Sequence, residues 1–316
     1  MNKKLISIIL VNWNTRDLTL QCIRSIINNN PDSNYEIIVS DNASSDGSAE
    51  AILSQYPDVK VLRNSENYGF AKGNNIAISH ANGDYICLVN TDVEVCSNCL
   101  GTLLNYISSD PEIGLIGPKV LNGDGSLQIT ARKDISILNT IARILWIDTL
   151  FPGITFHTHK KIECVDVIAG CFWMIRKSAL NQTGLLDENF FFYGEDRDYC
   201  KRMRQNGWKV VYHPGAQIYH YGGSSSAKKD PYKYYLLLEN AYFQYWKKYN
   251  HPHTFVLYLI LRVIYHFFRI FSNFFFFLLT FGRKSETIVK ILRSWYCVQM
   301  LIKDYRKKET ILEPSL

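Results

Sequence analysis

No Gly-x-Gly-x-x-Gly motif and no P-loop lysine motif occurs in the 316 residues. A dinucleotide site and an ATP-hydrolysing phosphate loop are therefore disfavoured. Only one Cys-x-x-Cys is present, Cys96 with Cys99, and no second pair completes a zinc site. The eight cysteines are scattered, several in segments that read as buried, so reduced thiols in a cytosolic compartment are expected. Residues 1–250 lack any charge excess: 25 Lys and Arg stand against 25 Asp and Glu, and the whole net charge of +6 falls in 251–316. A body without a basic face is not built for nucleic acid. A basic, aromatic tail suits an anionic membrane surface instead. After Lys3-Lys4 the apolar run is only seven residues long, stops at Asn12-Trp13-Asn14 and has no small-residue cleavage site. It reads as a first strand, not a secretory leader.

What is present is strand–helix alternation. Leu5–Val11, Tyr35–Ser40, Val59–Asn64 and Tyr85–Val89 are short apolar, β-branched-rich runs. Between them lie helical patterns at Leu18–Asn29, Ser48–Gln55 and, following Glu66-Asn-Tyr-Gly-Phe70, through His80. This spacing predicts right-handed crossovers and an α/β fold with a mostly parallel sheet. In such sheets ligands bind beyond the carboxyl ends of the strands, so the polar residues there are the candidates. Trp13 offers a ring for a nucleotide base or, alternatively, a core indole. Asp41 can accept hydrogen bonds from base or ribose, or cap its own turn. Asn67, Lys72 and Asn74 open a helix whose free N–H groups would favour phosphate. Asn90-Thr91-Asp92, directly after the apolar Tyr85–Val89, can hold Mg²⁺ or Mn²⁺ against a diphosphate.

Farther along, Val165–Arg176 reads as a strand closely approached at Gly170. The apolar Phe190–Tyr193 then delivers Glu195, Asp196 and Asp198 to the mouth of a helix. Adjacent acids there complement the helix dipole, and one of them in an aromatic-walled cleft can serve as general base on a sugar hydroxyl. His220, before Gly222-Gly223-Ser224, is a loop histidine or a further metal ligand. His157 and His159 at i, i+2 read as surface histidines.

Five blocks stand in one order: Ser7-Ile-Ile-Leu-Val-Asn-Trp-Asn14, Asp41-Asn-Ala-Ser-Ser-Asp-Gly-Ser48, Glu66-Asn-Tyr-Gly-Phe-Ala-Lys-Gly-Asn-Asn75, Asn90-Thr-Asp92 and Tyr193-Gly-Glu-Asp-Arg-Asp198. Together, over residues 5–225, they resemble glycosyltransferase family 2, and within it the bacterial rhamnosyltransferase-like branch that builds O-antigen and capsule. The resemblance implies a GT-A (Rossmann-like) fold, a nucleotide-sugar donor, a divalent cation and inversion at the anomeric carbon. Carried over by position, Trp13 looks like the ring on the base and Asp41 like the carboxylate at base or ribose. Asp92 looks like the metal ligand of an Asp-x-Asp motif whose first Asp is Asn90 here. Asp196 looks like the catalytic base, with Glu195 beside it, and His220 like an added metal or diphosphate contact. Trp173 is placed with the donor contacts.

The expected organisation is a catalytic domain over 1–228 and a helical, basic and aromatic tail over 229–316. Within the first, a nucleotide-sugar half covers about 1–118 and an acceptor half about 119–228. Phe255–Phe281 is heavily apolar, but Arg262, His266 and Arg269 share one helical face. An arginine at bilayer centre costs about 2.5–3.5 kcal/mol, so an in-plane amphipathic helix with its arginines at the headgroups is expected. The alternative is a helical subdomain packed on the body or forming a homodimer. The resemblance adds dTDP-rhamnose as donor, a polyprenyl-linked glycan as acceptor and the cytoplasmic face of the bacterial inner membrane as location. Other donors on the same fold are UDP-linked galactose, N-acetylglucosamine or galactofuranose. A nucleotidyltransferase would want a Gly-rich basic loop where Asn12-Trp13-Asn14 stands. An inactive glycan-binding protein would not need Asp92, Asp196 and His220.

Overall fold

The computed structural model describes residues 4–191, 193–222, 231–280 and 285–306. The chain forms two compact units: Met1–Asp134 with Thr155–Ser225, and Ile135–Ile154 with Ser226–Leu316.

In the first unit, β1 (Ile6–Asn12), β2 (Tyr35–Asp41), β3 (Lys60–Arg63) and β4 (Tyr85–Val89) are parallel, in the order β3-β2-β1-β4. The crossovers are α1 (Arg16–Asn29), α2 (Ser48–Gln55) and α3 (Gly69–Ile78). The largely apolar composition of β1 follows from its position. Ile6, Ile8 and Leu10 pack into one cluster while Ile9 packs into the other, so both faces of the sheet are covered. Each such side chain contributes roughly 1.5–3 kcal/mol when fully buried.

Past β4 the chain continues through β5 (Val93–Val95), α4 (Cys99–Ser109), β6 (Ile113–Leu121), β7 (Leu127–Gln128) and β8 (Ala131–Arg132). It then contributes α5 (Ile137–Ile144) and α6 (Ile147–Leu150) to the second unit. It returns as β9 (Glu163–Cys164), β10 (Val167–Ile168), β11 (Phe172–Arg176), α7 (Lys177–Thr183), α8 (Glu195–Gln205) and β12 (Lys209–His220). The sheet proceeds β4-β11-β6-β12-β5. β11 enters antiparallel to both neighbours, with Phe172 opposite Val89. Its first residues therefore lie at the edge where β1, β2 and β4 end. β12 runs through Pro214-Gly215 as one strand, with a register irregularity between His213 and Gln217.

The second unit contains α5 and α6 with α9 (Pro231–Tyr249), α10 (Pro252–Leu279) and α11 (Ser285–Arg306). The grouping of 135–154 with the C-terminal helices was not legible in the sequence. Ile135 and Ile137 pack against the cluster of Tyr245, Trp246 and Tyr258. Arg262 and His266 are buried rather than turned outward, because Glu239 on α9 supplies a carboxylate. A charge is buried only where it is paired. The outer face of α10 instead exposes Phe267, Phe268, Phe271, Phe274 and Phe275. At 28 residues, α10 is long and apolar enough to cross a membrane by length and composition. The Gly223–Ser226 run and the basic residues Arg283, Lys284, Lys307 and Lys308 lie outside the described residues.

Candidate active site at the carboxyl edge of the sheet

Register brings the candidate residues to one edge. Asn12 and Asp41 are paired at the ends of β1 and β2, and β4 ends opposite Leu10. Asn12 donates to Asp41 Oδ1 at 2.6 Å and to Ser44 Oγ at 2.9 Å, and its side-chain Oδ1 accepts from the hydroxyls of Thr15 and Thr19. Thr15 also meets Thr91 at 3.1 Å. This polar knot ties the loops after β1, β2 and β4 together. Asp41 is thereby buried, with Ser44 N on its other oxygen at 3.1 Å. Trp13 lies partly exposed on the loop braced in this way. Asn14, Ala43 and Tyr193 all adopt positive φ, of 52°, 54° and 69°. Non-glycine residues held in that region concentrate at functional sites.

The loop after β4 places Asp92 Oδ1 3.2 Å from His220 Nε2 at the end of β12. Asn90 Nδ2 faces the same nitrogen at 3.5 Å. The β6–β7 hairpin supplies the missing constraint, since Gln128 Oε1 accepts from His220 Nδ1 at 2.7 Å. Gln128 Nε2 donates to Asn122 Oδ1 at 3.0 Å, which fixes the amide orientation. With Nδ1 donating to Gln128, Nε2 is the nitrogen turned toward Asp92. Two lone-pair donors facing each other at this distance fit a cation between them. No group of three or more His, Cys, Asp or Glu that could hold a metal occurs among the described residues. A two-ligand site of this kind suits Mg²⁺ or Mn²⁺ completed by a substrate diphosphate and water.

Asp196 reaches the same edge from the opposite direction. Asn90 N donates to Cys171 O at 3.0 Å. A Cβ built on the neighbouring Gly170 would lie 3.6 Å from Asp196 Cβ. The Gly170–Cys171 peptide thus borders both the Asn90–Asp92 loop and the start of α8. Electrostatics agree: burial, together with the charges of Asp92 and Asp196, pushes the Cys171 thiol up to about 12, with Arg132 opposing them. Asp196 is partly exposed, and its Oδ1 accepts from Arg197 N at 2.8 Å.

Glu195 differs from its neighbour. Its carboxyl is buried, its Oε2 has no hydrogen-bond partner among the described residues, and burial with the Asp196 charge pushes it up to about 8. Burial thus biases the Glu195 carboxyl toward its neutral form, whereas Asp196 keeps a partly exposed carboxylate position at the same helix start. Asp198 is fully buried and paired with Arg202 at 2.8 Å, which is a structural role.

Several expectations are revised. Trp173 is fully buried, donates to Ile168 O at 3.2 Å and stacks on Tyr199, so it supports the edge from within the core and does not reach a ligand. The start of α3 is not an open phosphate cradle. Gly69 N donates to Asn67 Oδ1 at 2.9 Å, and Phe70 N donates to Phe191 O at 3.2 Å. Lys72 holds its ammonium 3.8 Å from the Tyr68 ring centroid. Asn74 is buried and bonds back to Phe70 O at 2.9 Å. The loop before α8 folds over this helix, and the residue that fastens it is Asn75. Asn75 donates to Leu186 O at 2.9 Å and accepts from Leu186 N at 3.0 Å. Gly69, at φ +75°, is required there, since an added Cβ would lie 2.7 Å from Phe191 O. His159 is no surface histidine: it is buried, and its Nε2 accepts from Thr130 N and Ala131 N at 3.1 and 2.8 Å. Sequence reasoning missed Asn12, Asn75, Gln128 and Arg132. Asn12 and Asn75 lay inside recognised blocks, while nothing local marked the other two.

Comparisons with known proteins bear on the family and the fold. Residues 7–184 match the family described as Glycosyl transferase family 2. The chain is 28% identical over 214 residues to the N-acetylglucosaminyl-diphospho-decaprenol L-rhamnosyltransferase of Mycobacterium tuberculosis, covering 62% of this chain and 69% of that one. It is 26% identical over 224 residues to rhamnosyltransferase WbbL of Escherichia coli, covering 69% of this chain and 83% of that one. Among solved structures, mannosyltransferase PcManGT from Pyrobaculum calidifontis, in complex with GDP-Man and Mn²⁺, superposes with a TM-score of 0.60. That match has 14% identity and covers 98% of this chain and 89% of the other. GalNAc-T7 with UDP, GalNAc and Mn²⁺ gives 0.56 at 19% identity, covering 78% of this chain, which spans 50% of that one. The central sheet flanked by helices is the GT-A arrangement of these neighbours.

Proposed function

From the premise that the chain belongs to glycosyl transferase family 2, we propose that it transfers one sugar, L-rhamnose from dTDP-rhamnose, to a lipid-linked glycan with inversion. The carrying observation is the shared border: Asp92 with His220 on one side of Gly170–Cys171, and Asp196 on the other. The rhamnosyltransferase names of two relatives support the donor, and the decaprenol in one of those names supports a polyprenyl-linked acceptor.

In this reading Trp13 and Asp41 hold the nucleoside. Asp92 and His220 would hold Mg²⁺ or Mn²⁺, which when bound supplies Lewis-acid neutralisation of the departing diphosphate. Asp196 accepts the proton of the acceptor hydroxyl as that oxygen bonds to the anomeric carbon. The bond from that carbon to the diphosphate oxygen breaks on the opposite face, and the nucleoside diphosphate leaves with the electron pair. One displacement through an oxocarbenium-like transition state inverts the centre. Glu195, biased by burial toward its neutral form, leaves the base role to Asp196. Arg132 adds positive charge at the same edge.

The exposed phenylalanine face of α10 and the basic tail support peripheral attachment to an anionic inner-leaflet membrane, on the cytoplasmic side. The deciding experiment incubates purified protein and membranes with dTDP-rhamnose and with UDP-linked galactose, N-acetylglucosamine and galactofuranose, each with Mn²⁺ or Mg²⁺. Transfer from dTDP-rhamnose alone is expected. Transfer from a UDP-sugar alone would overturn the donor while leaving the reaction class.

A further inference from the structure

The second unit encloses a cavity of about 110 Å³, lined among others by Arg143, Glu239, Arg262, His266, Arg269 and Arg293. Four guanidinium groups thus meet one carboxylate, and that carboxylate is already spent. Arg262 Nε donates to Glu239 Oε1 at 2.7 Å, and Arg262 Nη2 binds the second oxygen. Arg143 reaches Asp148 at 3.4 Å. Among the described residues, Arg269 and Arg293 have no carboxylate partner. Arg269 Nη1 donates to Tyr265 OH at 3.0 Å, and Arg293 stacks 3.4 Å above the centre of the Tyr235 ring. His266 is 4% exposed; its Nε2 stands 3.4 Å from Glu239 Oε2, and its Nδ1 has no hydrogen-bond partner among the described residues.

We propose that this cavity is a binding site for a phosphate or diphosphate group. Like charges converging in a part-buried space are costly without a counter-charge. Aromatic contacts hold both free guanidiniums in place, so their planar forks are pre-organised for phosphate oxygens. The volume corresponds to about three to four waters of liquid, which is room for a small tetrahedral anion. The helix that supplies Arg262, His266 and Arg269 to the cavity exposes Phe267, Phe268, Phe271 and Phe275 on its other side. That apolar face gives the same helix a surface on which acyl or prenyl chains can lie. The anion site stands on this geometry alone; only its assignment to a lipid-carried phosphate rests on the acceptor class proposed above.

The test uses the full chain, without donor and in EDTA, so that it does not depend on glycosyl transfer. Inorganic pyrophosphate is titrated calorimetrically into the wild type, Arg269→Gln, Arg293→Gln and Arg143→Gln. Saturable binding is expected, at least tenfold weaker in Arg269→Gln and Arg293→Gln. Hydrogen exchange should slow on peptides from 231–306 and not on those from 7–184. Absence of saturable binding, equal affinity in all variants, or protection confined to 7–184 would overturn the site. In a second arm, vesicles containing phosphatidic acid are compared with phosphatidylglycerol vesicles of equal charge. Preference for the phosphomonoester lipid, lost in Arg293→Gln, supports a lipid-carried ligand. Equal binding to both vesicles beside intact pyrophosphate binding overturns the lipid assignment and leaves a site for a free anion.

Discussion

Gln128 fixes the tautomer of His220 by accepting its Nδ1 proton at 2.7 Å, and so aims Nε2 at Asp92. Outer partners of this kind typically govern metal affinity by a factor of about 10–100. Gln128→Leu is expected to weaken Mn²⁺ binding, measured calorimetrically with a nucleoside diphosphate present, by that factor. Thermal stability in EDTA should stay within about 0.5 kcal/mol of wild type, as for most surface changes. Unaltered Mn²⁺ affinity would mean that His220 does not ligate through Nε2.

The two adjacent acids should separate by activity. Asp196→Asn removes the proposed base and should lower kcat by about 10²–10⁴, with nucleotide affinity retained. Glu195→Gln, which imitates the protonated carboxyl, should keep most of the wild-type rate. Comparable losses in both variants would contradict the division of roles. Asp92→Ala should abolish metal-stimulated transfer while leaving the circular dichroism spectrum unchanged.

Stability against pH gives a second reading of Glu195. Burial and the neighbouring Asp196 charge raise its folded pKa to about 8, from 4.5 for the free carboxyl. Between those values the folded protein binds more protons than the unfolded chain, so stability falls as pH rises from about 4.5 to 8. The loss is on the order of a few kcal/mol across that window. Glu195→Gln should flatten this part of the pH profile, and a profile parallel to wild type would show that the burial is not felt.

The buried ion pair on α9 and α10 makes a third prediction. Burial alone would raise the Glu239 carboxyl, but Arg262 and His266 hold it well below the ordinary carboxylate range. Glu239→Gln leaves Arg262 buried with a neutral partner and should cost about 3–5 kcal/mol in denaturant unfolding. Glu239→Leu with Arg262→Met should recover most of that loss. A silent single variant would show that the pair is open to water.

At the start of α3, Gly69→Ala sets a Cβ against Phe191 O in a backbone conformation disfavoured for side chains. A cost of about 1–3 kcal/mol is expected, with donor KM raised because the loop before α8 must shift. Equal KM would dissociate that loop from the site.

The sequence by itself determined the strands of the parallel half, because burial on both faces of a parallel sheet demands continuous apolar runs such as Tyr85–Val89. It also placed Asp41, Asp92 and Asp196 at element ends, where polar residues interrupt those runs. Only the tertiary structure decided what each neighbour does. Antiparallel entry of β11 sets Gly170 and Cys171 between Asp92 and Asp196, and hairpin return of β7 sets Gln128 against His220. Register and strand direction are long-range choices that local periodicity does not encode. For the same reason Trp173 and Asn74 looked like ligand contacts and are core residues, while Asn75, one position on, holds the loop. The helical face of Arg262, His266 and Arg269 was visible in the spacing. Its inward turn was decided by Glu239, twenty-three residues away, because a buried guanidinium goes where its carboxylate is.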